Sequence, residues 1–121
     1  MRHNEITYDN AVHVEGYGLG FFRAGGKVIE GHALILASGA TRWGGLEDLE
    51  PILSQADGLD VLLLGMGADI AMPPDALLDR LEAAGVGVEV MSSPSAARAY
   101  NVLLSEGRRV GVALLTVDEA P

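Results

Sequence analysis

Three short runs of branched apolar residues, at 61–64, 86–90 and 110–117, alternate with two stretches of helical spacing. No other feature restricts the fold of this chain as strongly. The first and last runs are apolar at consecutive positions, the pattern of a strand buried on both faces. Between the first two, Pro73-Pro74-Asp75 opens a helix with Leu77, Leu78 and Leu81 on one face, and Gly85 stops it. Before the last, Ser93-Pro94 opens another, a capping residue followed by proline at the first helical position, which ends at Gly107. Strand, helix, strand, helix, strand is the arithmetic of parallel βαβ units, whose crossovers share one hand in ~98% of cases. The three strands are therefore predicted to be mutually parallel.

The first third reads as β structure punctuated by glycine. Ile6, Tyr8, Val12 and Val14 alternate with polar residues, as half-buried strands do. Gly16-Tyr17-Gly18-Leu19-Gly20 bends the chain, and Ala24-Gly25-Gly26-Lys27 makes a hairpin turn, because paired glycines accept the positive φ of the primed turns. The returning strand is predicted over residues 28–37. Its second half, Ala33-Leu34-Ile35-Leu36-Ala37, is apolar on both faces and so enters the sheet centre. A short helix capped by Asp48, with Pro51 in its first turn, is predicted to run to about residue 56, and residues 118–121 are expected to fray. The expected fold is one α/β domain over residues 1–121. It has three layers, with a mixed, mostly parallel central sheet flanked by helices and an N-terminal β-hairpin layer.

Charge narrows the partners. Eight basic residues against 17 acidic ones leave a formal net charge of −9, and Lys27 is the one lysine. Such a surface repels phosphate backbones and anionic lipid, so no nucleic acid is expected. Arg98, Arg108 and Arg109 fall within twelve positions; collected by the fold, they would make one local anion site. With no cysteine there are no disulfides, thiolate metal sites or cysteine nucleophiles. The opening Met1-Arg2-His3-Asn4-Glu5 lacks the apolar stretch of a signal peptide, and no apolar run approaches the ~20 residues that span a bilayer. A cytoplasmic protein that is not membrane-embedded is expected.

Ligands of open α/β sheets bind beyond the carboxyl ends of the strands. Two loops lie there, Gly65-Met66-Gly67-Ala68-Asp69 and Met91-Ser92-Ser93-Pro94. The second leads into a helix whose first N–H groups favour an anion, with Arg98 one turn on and Asn101 three residues further. Gly65, Gly67, Ser92, Ser93, Arg98 and Asn101 are therefore the candidate ligand-binding residues. The structural reading of the same set is that Ser93 caps a helix, the glycines relieve a tight turn and Arg98 pairs with an acid such as Glu89; it is the commoner use of such residues. Other signals are weaker. Gly65-x-Gly67 is no dinucleotide fingerprint, since the helix opens later at a proline pair, and Gly16-x-Gly18-x-Gly20 precedes no helix. There is no phosphate-loop lysine and no Gly-x-Ser-x-Gly elbow, and His3, His13 and His32 lack ligand spacing. No catalytic residue, metal or cofactor is assigned.

An ordered series of motifs carries a further expectation: Tyr17-Gly18, Gly20-Phe21-Phe22-Arg23, Trp43, Leu63-Leu64-Gly65-x-Gly67, Pro73-Pro74, Gly87-Val88-Glu89-Val90-Met91, Arg98-x-Tyr100-Asn101-Val102-Leu103-Leu104 and Glu106-Gly107-Arg108-Arg109-Val110. It runs nearly end to end. On these residues the chain resembles the small-domain family that contains mitochondrial complex I assembly factor three, the adipogenesis-associated proteins and many uncharacterised bacterial members. The resemblance implies a three-layer fold with a mixed sheet and a non-catalytic role in binding or assembling proteins. The alternative is a protein that binds a small anion or metabolite, and possible catalysis there, through the loops at 65–69 and 91–94. Met66 replaces a usual Thr of that family, Ala97 a frequent Cys and Ala99 a usual Thr, losses that weigh against a catalytic pocket more than against a binding surface.

Overall fold

The structure is a computed structural model and describes residues 10–118; the readings placed on Ile6, Tyr8, His3 and residues 119–121 lie outside the described residues. The described elements are β1 (Val14–Gly18), β2 (Phe21–Ala24), β3 (Lys27–Glu30), β4 (Ala33–Leu36), β5 (Gly39–Arg42), α1 (Glu50–Leu53), β6 (Val61–Gly65), α2 (Asp75–Ala83), β7 (Gly87–Met91), α3 (Ser93–Ser105) and β8 (Val110–Leu114). β1, β2 and β3 form an antiparallel sheet, and the other five strands form a second sheet in the order β5-β4-β8-β6-β7. β6 pairs in parallel with β7 and with β8, whereas β4 runs antiparallel to β5 and β8. The three strands read as parallel are parallel, and the sheet is mixed.

Side-chain alternation divides the core in two. Val61 and Leu63 of β6 join Ala96, Ala97, Tyr100 and Leu104 of α3 and Phe22 and Ile29 of the small sheet. Leu62 and Leu64 point the other way, onto Ile52, Leu77 and Leu81. The continuous apolar run of β6 thus reflects burial on both faces. From β6 to β7 the chain steps outward by one strand; from β7 to β8 it steps back across β6. A single hand for both crossovers then puts α2 and α3 on opposite faces, which is where the two clusters hold them. Both helices end at glycines with positive φ, Gly85 and Gly107. In each, the glycine N–H and the next N–H fold back on the last-turn carbonyls: Gly85 on Glu82 and Val86 on Leu81, Gly107 on Leu104 and Arg108 on Leu103.

Four local readings are corrected. The returning strand over 28–37 is two strands in different sheets, because Gly31 takes φ +92° and turns the chain between β3 and β4. β1 continues through Gly16 to Gly18, and the bend falls at Leu19-Gly20. β5 was not foreseen; its Ala40-Thr41-Arg42 pairs with β4 although only Ala40 is buried. Asp48 does not cap α1, whose N-cap is Leu49 without a side-chain bond. It closes the preceding loop instead, accepting from Gly44 N–H at 3.0 Å through Oδ2 and from Trp43 Nε1 at 2.8 Å through its carbonyl.

Tyr100 ties α3 to the N-terminal segment: its ring is fully buried and its hydroxyl donates to the Val12 carbonyl at 2.7 Å. Burial pushes the phenol above the ordinary tyrosine range. Above pH ~10 an unfolded chain releases this proton while the folded one retains it, so stability falls as pH rises through that window. Denaturant titrations are expected to show an extra loss of about 1.4 kcal/mol per pH unit there, absent from Tyr100→Phe. Equal pH slopes in the two proteins would mean the phenol titrates normally.

Candidate functional site

The loops after β6, β7 and β8 are laced together by one side chain. Ser93 is fully buried. Its Oγ accepts from Gly67 N–H at 2.9 Å and donates to the Leu115 carbonyl at 2.6 Å, while its own N–H donates to the Gly67 carbonyl at 2.7 Å. Met66 N–H donates to the Met91 carbonyl and Leu115 N–H to the Gly65 carbonyl, each at 2.9 Å. Gly65 fits only because it has no side chain: a Cβ there would lie 2.7 Å from the Ser93 Cα. Gly67 takes φ +97°, a conformation open to glycine.

The cap of α3 is Ser92, not Ser93: the Ser92 Oγ accepts from Ser95 N–H at 3.3 Å, and its carbonyl accepts from Ala96 N–H at 2.9 Å. Donors at Ser93, Ser95 and Ala96 are therefore engaged within the protein. The structure brings Gly65, Gly67, Ser92 and Ser93 together. Arg98 is exposed and reaches the Ser95 hydroxyl at 3.4 Å. Asn101 turns to the small sheet, where its Oδ1 accepts from Val14 N–H at 3.0 Å and its Nδ2 donates to the Val14 carbonyl at 2.8 Å. Nor does the fold collect the three arginines. Arg98 stands in the second turn of α3 and Arg108 beyond its end, about 15 Å away along the axis at 1.5 Å per residue.

Chemically, the Ser93 hydroxyl spends its proton on a carbonyl, which cannot act as a base, so this serine is a strut rather than an activated nucleophile. Among the described residues no group of three or more His, Asp or Glu could hold a metal ion, and no helix is long and apolar enough to cross a membrane. What the struts hold in place is the loop over residues 66–74. Gly67 and Pro73 anchor it by burial, and between them Ile70 and Met72 are 66% and 70% exposed.

Sequence reasoning missed the other end of the sheet, where the parallel strands begin. There a cavity of about 350 Å³ lies between the β4–β5 turn, residues 55–59 and the end of α3. Its only advance signal was the arginine pair after Gly107. Arg109 bridges the starts of β6 and β8: Nη2 and Nε contact the Asp60 carboxylate at 2.8 and 3.3 Å, and Nη1 donates to the Asp57 carbonyl at 3.1 Å. The Arg109 guanidinium holds the Asp60 carboxyl below its usual range.

Comparison with known proteins agrees with this architecture. A family model described as a protein of unknown function (DUF498/DUF598) matches residues 14–115. An uncharacterized protein of Rhodobacter capsulatus is 52% identical over 120 residues, covering 99% of this chain and 97% of that protein. The crystal structure of an outer membrane protein from Bartonella henselae is similar with a TM-score of 0.80 and 30% identity, over 89% of this chain and 97% of that one. The solution structure of a Bordetella pertussis protein, described as a Mth938-like domain, is similar with a TM-score of 0.73 and 27% identity, over 98% and 92%.

Proposed function

The chain belongs to the DUF498/DUF598 family of proteins of unknown function, and from that premise we propose that it is a non-catalytic binding domain that assists the assembly of other proteins, as the resemblance to complex I assembly factor three implies. The observation that carries this reading is the exposed apolar tip of the anchored loop. Ile70 and Met72 are two of the most exposed large apolar side chains on an otherwise acidic surface, and their loop is held at both ends. Exposed apolar groups on a loop anchored at both ends suit protein docking, because the anchors limit the ordering entropy lost on contact and methionine adapts to its partner's shape. The action proposed is cytoplasmic, on proteins bound for a membrane.

The test is photo-crosslinking in the native host, with benzoylphenylalanine at position 70 or 72 and, as control, at the exposed Glu82 of α2. Positions 70 and 72 are expected to yield one discrete adduct containing a subunit of a respiratory membrane complex, and position 82 none. In a chain carrying the photo-crosslinker at position 70, Met72→Ser should reduce that adduct severalfold with the melting temperature unchanged. Diffuse, equal crosslinking from all three positions would overturn the reading.

A further inference from the structure

We propose that the cavity at the strand starts, well away from the loop tip of the assembly reading, binds a single-chain amphiphile whose headgroup is one carboxylate or phosphate. Its floor is apolar by construction. A Cβ on Gly111 would stand 2.7 Å from Leu36 Cδ2 and 3.2 Å from Leu59 Cδ2, so the missing side chain lets both leucines lie over β8. Leu104 and Val110 complete the wall. At Gly58 and Gly107, which also line the cavity, no heavy atom lies within 4 Å of the place a Cβ would take, so the lining is open there. A volume of about 350 Å³ is within the range of small-ligand sites, roughly 300–1,000 Å³, and suits a short alkyl chain rather than a two-chain lipid.

The headgroup follows from charge. Among the described residues, Arg108 and Arg109 are the only charged ones lining the cavity. Arg109 is committed to Asp60 and the Asp57 carbonyl. The Arg108 guanidinium is exposed and makes no hydrogen bond or ion pair with the described residues, although Asp60 lies within its electrostatic reach. The negative end of α3 does not cancel it, since the Leu103 and Leu104 carbonyls already accept from Arg108 and Gly107 N–H. In a chain of net charge −9, an uncommitted guanidinium at an apolar cavity is a site for one anion joined to an apolar tail.

The experiment is a ¹H–¹⁵N NMR titration of the whole chain with octanoate and octyl phosphate, each kept below its micelle concentration, and octanol, kept below its solubility limit. Saturable shifts are expected at Gly58, Ser105, Gly107 and Gly111 with either anion, and the tighter of the two identifies the headgroup. Octanol should bind about tenfold more weakly, and Arg108→Gln should weaken the anions about tenfold while leaving octanol unchanged. Gly58→Leu, at an ordinary φ and with an unobstructed Cβ, should weaken all three. Equal affinity for octanol and octanoate, an Arg108→Gln protein that binds the anions as the parent does, or shifts centred on the 66–74 loop would each overturn the proposal.

Discussion

Ser93→Ala is expected to destabilise the fold by about 3 kcal/mol. The hydroxyl is fully buried and makes two hydrogen bonds to main chain, to Gly67 N–H and to the Leu115 carbonyl. Truncation leaves the buried Gly67 N–H and the half-buried Leu115 carbonyl without that partner, and a buried group so orphaned costs about 1–3 kcal/mol. The neighbouring Ser92→Ala removes only a half-buried helix cap and should cost about 1 kcal/mol. Urea midpoints of the two variants make the comparison, and hydrogen exchange adds a local readout: the Gly67 amide should lose protection in Ser93→Ala and keep it in Ser92→Ala. If Ser93→Ala cost no more than Ser92→Ala, water would be satisfying the loop and the strut would be dispensable.

Gly65→Ala should cost as much or more, about 3 kcal/mol, for a steric reason. Its Cβ would meet the Ser93 Cα at 2.7 Å and Leu114 Cδ2 and Ser93 Oγ at 2.8 Å. The first is backbone and cannot rotate aside, so the end of β6 and the start of α3 must separate; overpacking of this kind costs about 1–3 kcal/mol, occasionally more. Separation also stretches the Gly67–Ser93 bonds. The double variant with Ser93→Ala should therefore be less damaging than the sum of the single ones. Gly111→Ala is the control, because the nearest atom to its Cβ is the mobile end of Leu36, also at 2.7 Å. Thermal unfolding of the set measures the difference. A Gly65→Ala protein as stable as Gly111→Ala would mean that the two elements slide apart without cost.

The periodic signals were legible in the chain itself. Leu62-Leu63-Leu64 between turn residues reads as a strand covered on both sides, Leu77 and Leu81 share the core face of a helix, and Gly85 and Gly107 follow helical spacing as stops; these are local patterns. From them came the parallel β6, β7 and β8, and hence the meeting of Gly65, Gly67, Ser92 and Ser93. The resemblance to the assembly-factor family rested on residues spread nearly end to end, from Tyr17 and Trp43 to Val110.

What the tertiary structure alone decided were the partners of polar groups and the ends of strands. Ser92 and Ser93 are adjacent and chemically identical, yet one caps a helix and the other bridges two loops, because only the stacking of β6 and β8 beside α3 puts Gly67 and Leu115 against Ser93. Asn101, read as facing a ligand, meets Val14 87 residues away. β5 exists because β4 offers it an edge, not because its own sequence is strongly β-forming. The cavity beside Arg108 is the sum of a turn, a loop and a helix end that are distant in sequence. Hydrophobic periodicity is written residue by residue and survives in the one-dimensional string. A polar contact or a cavity depends on which segments arrive at the same place, and that is settled only when the layers pack.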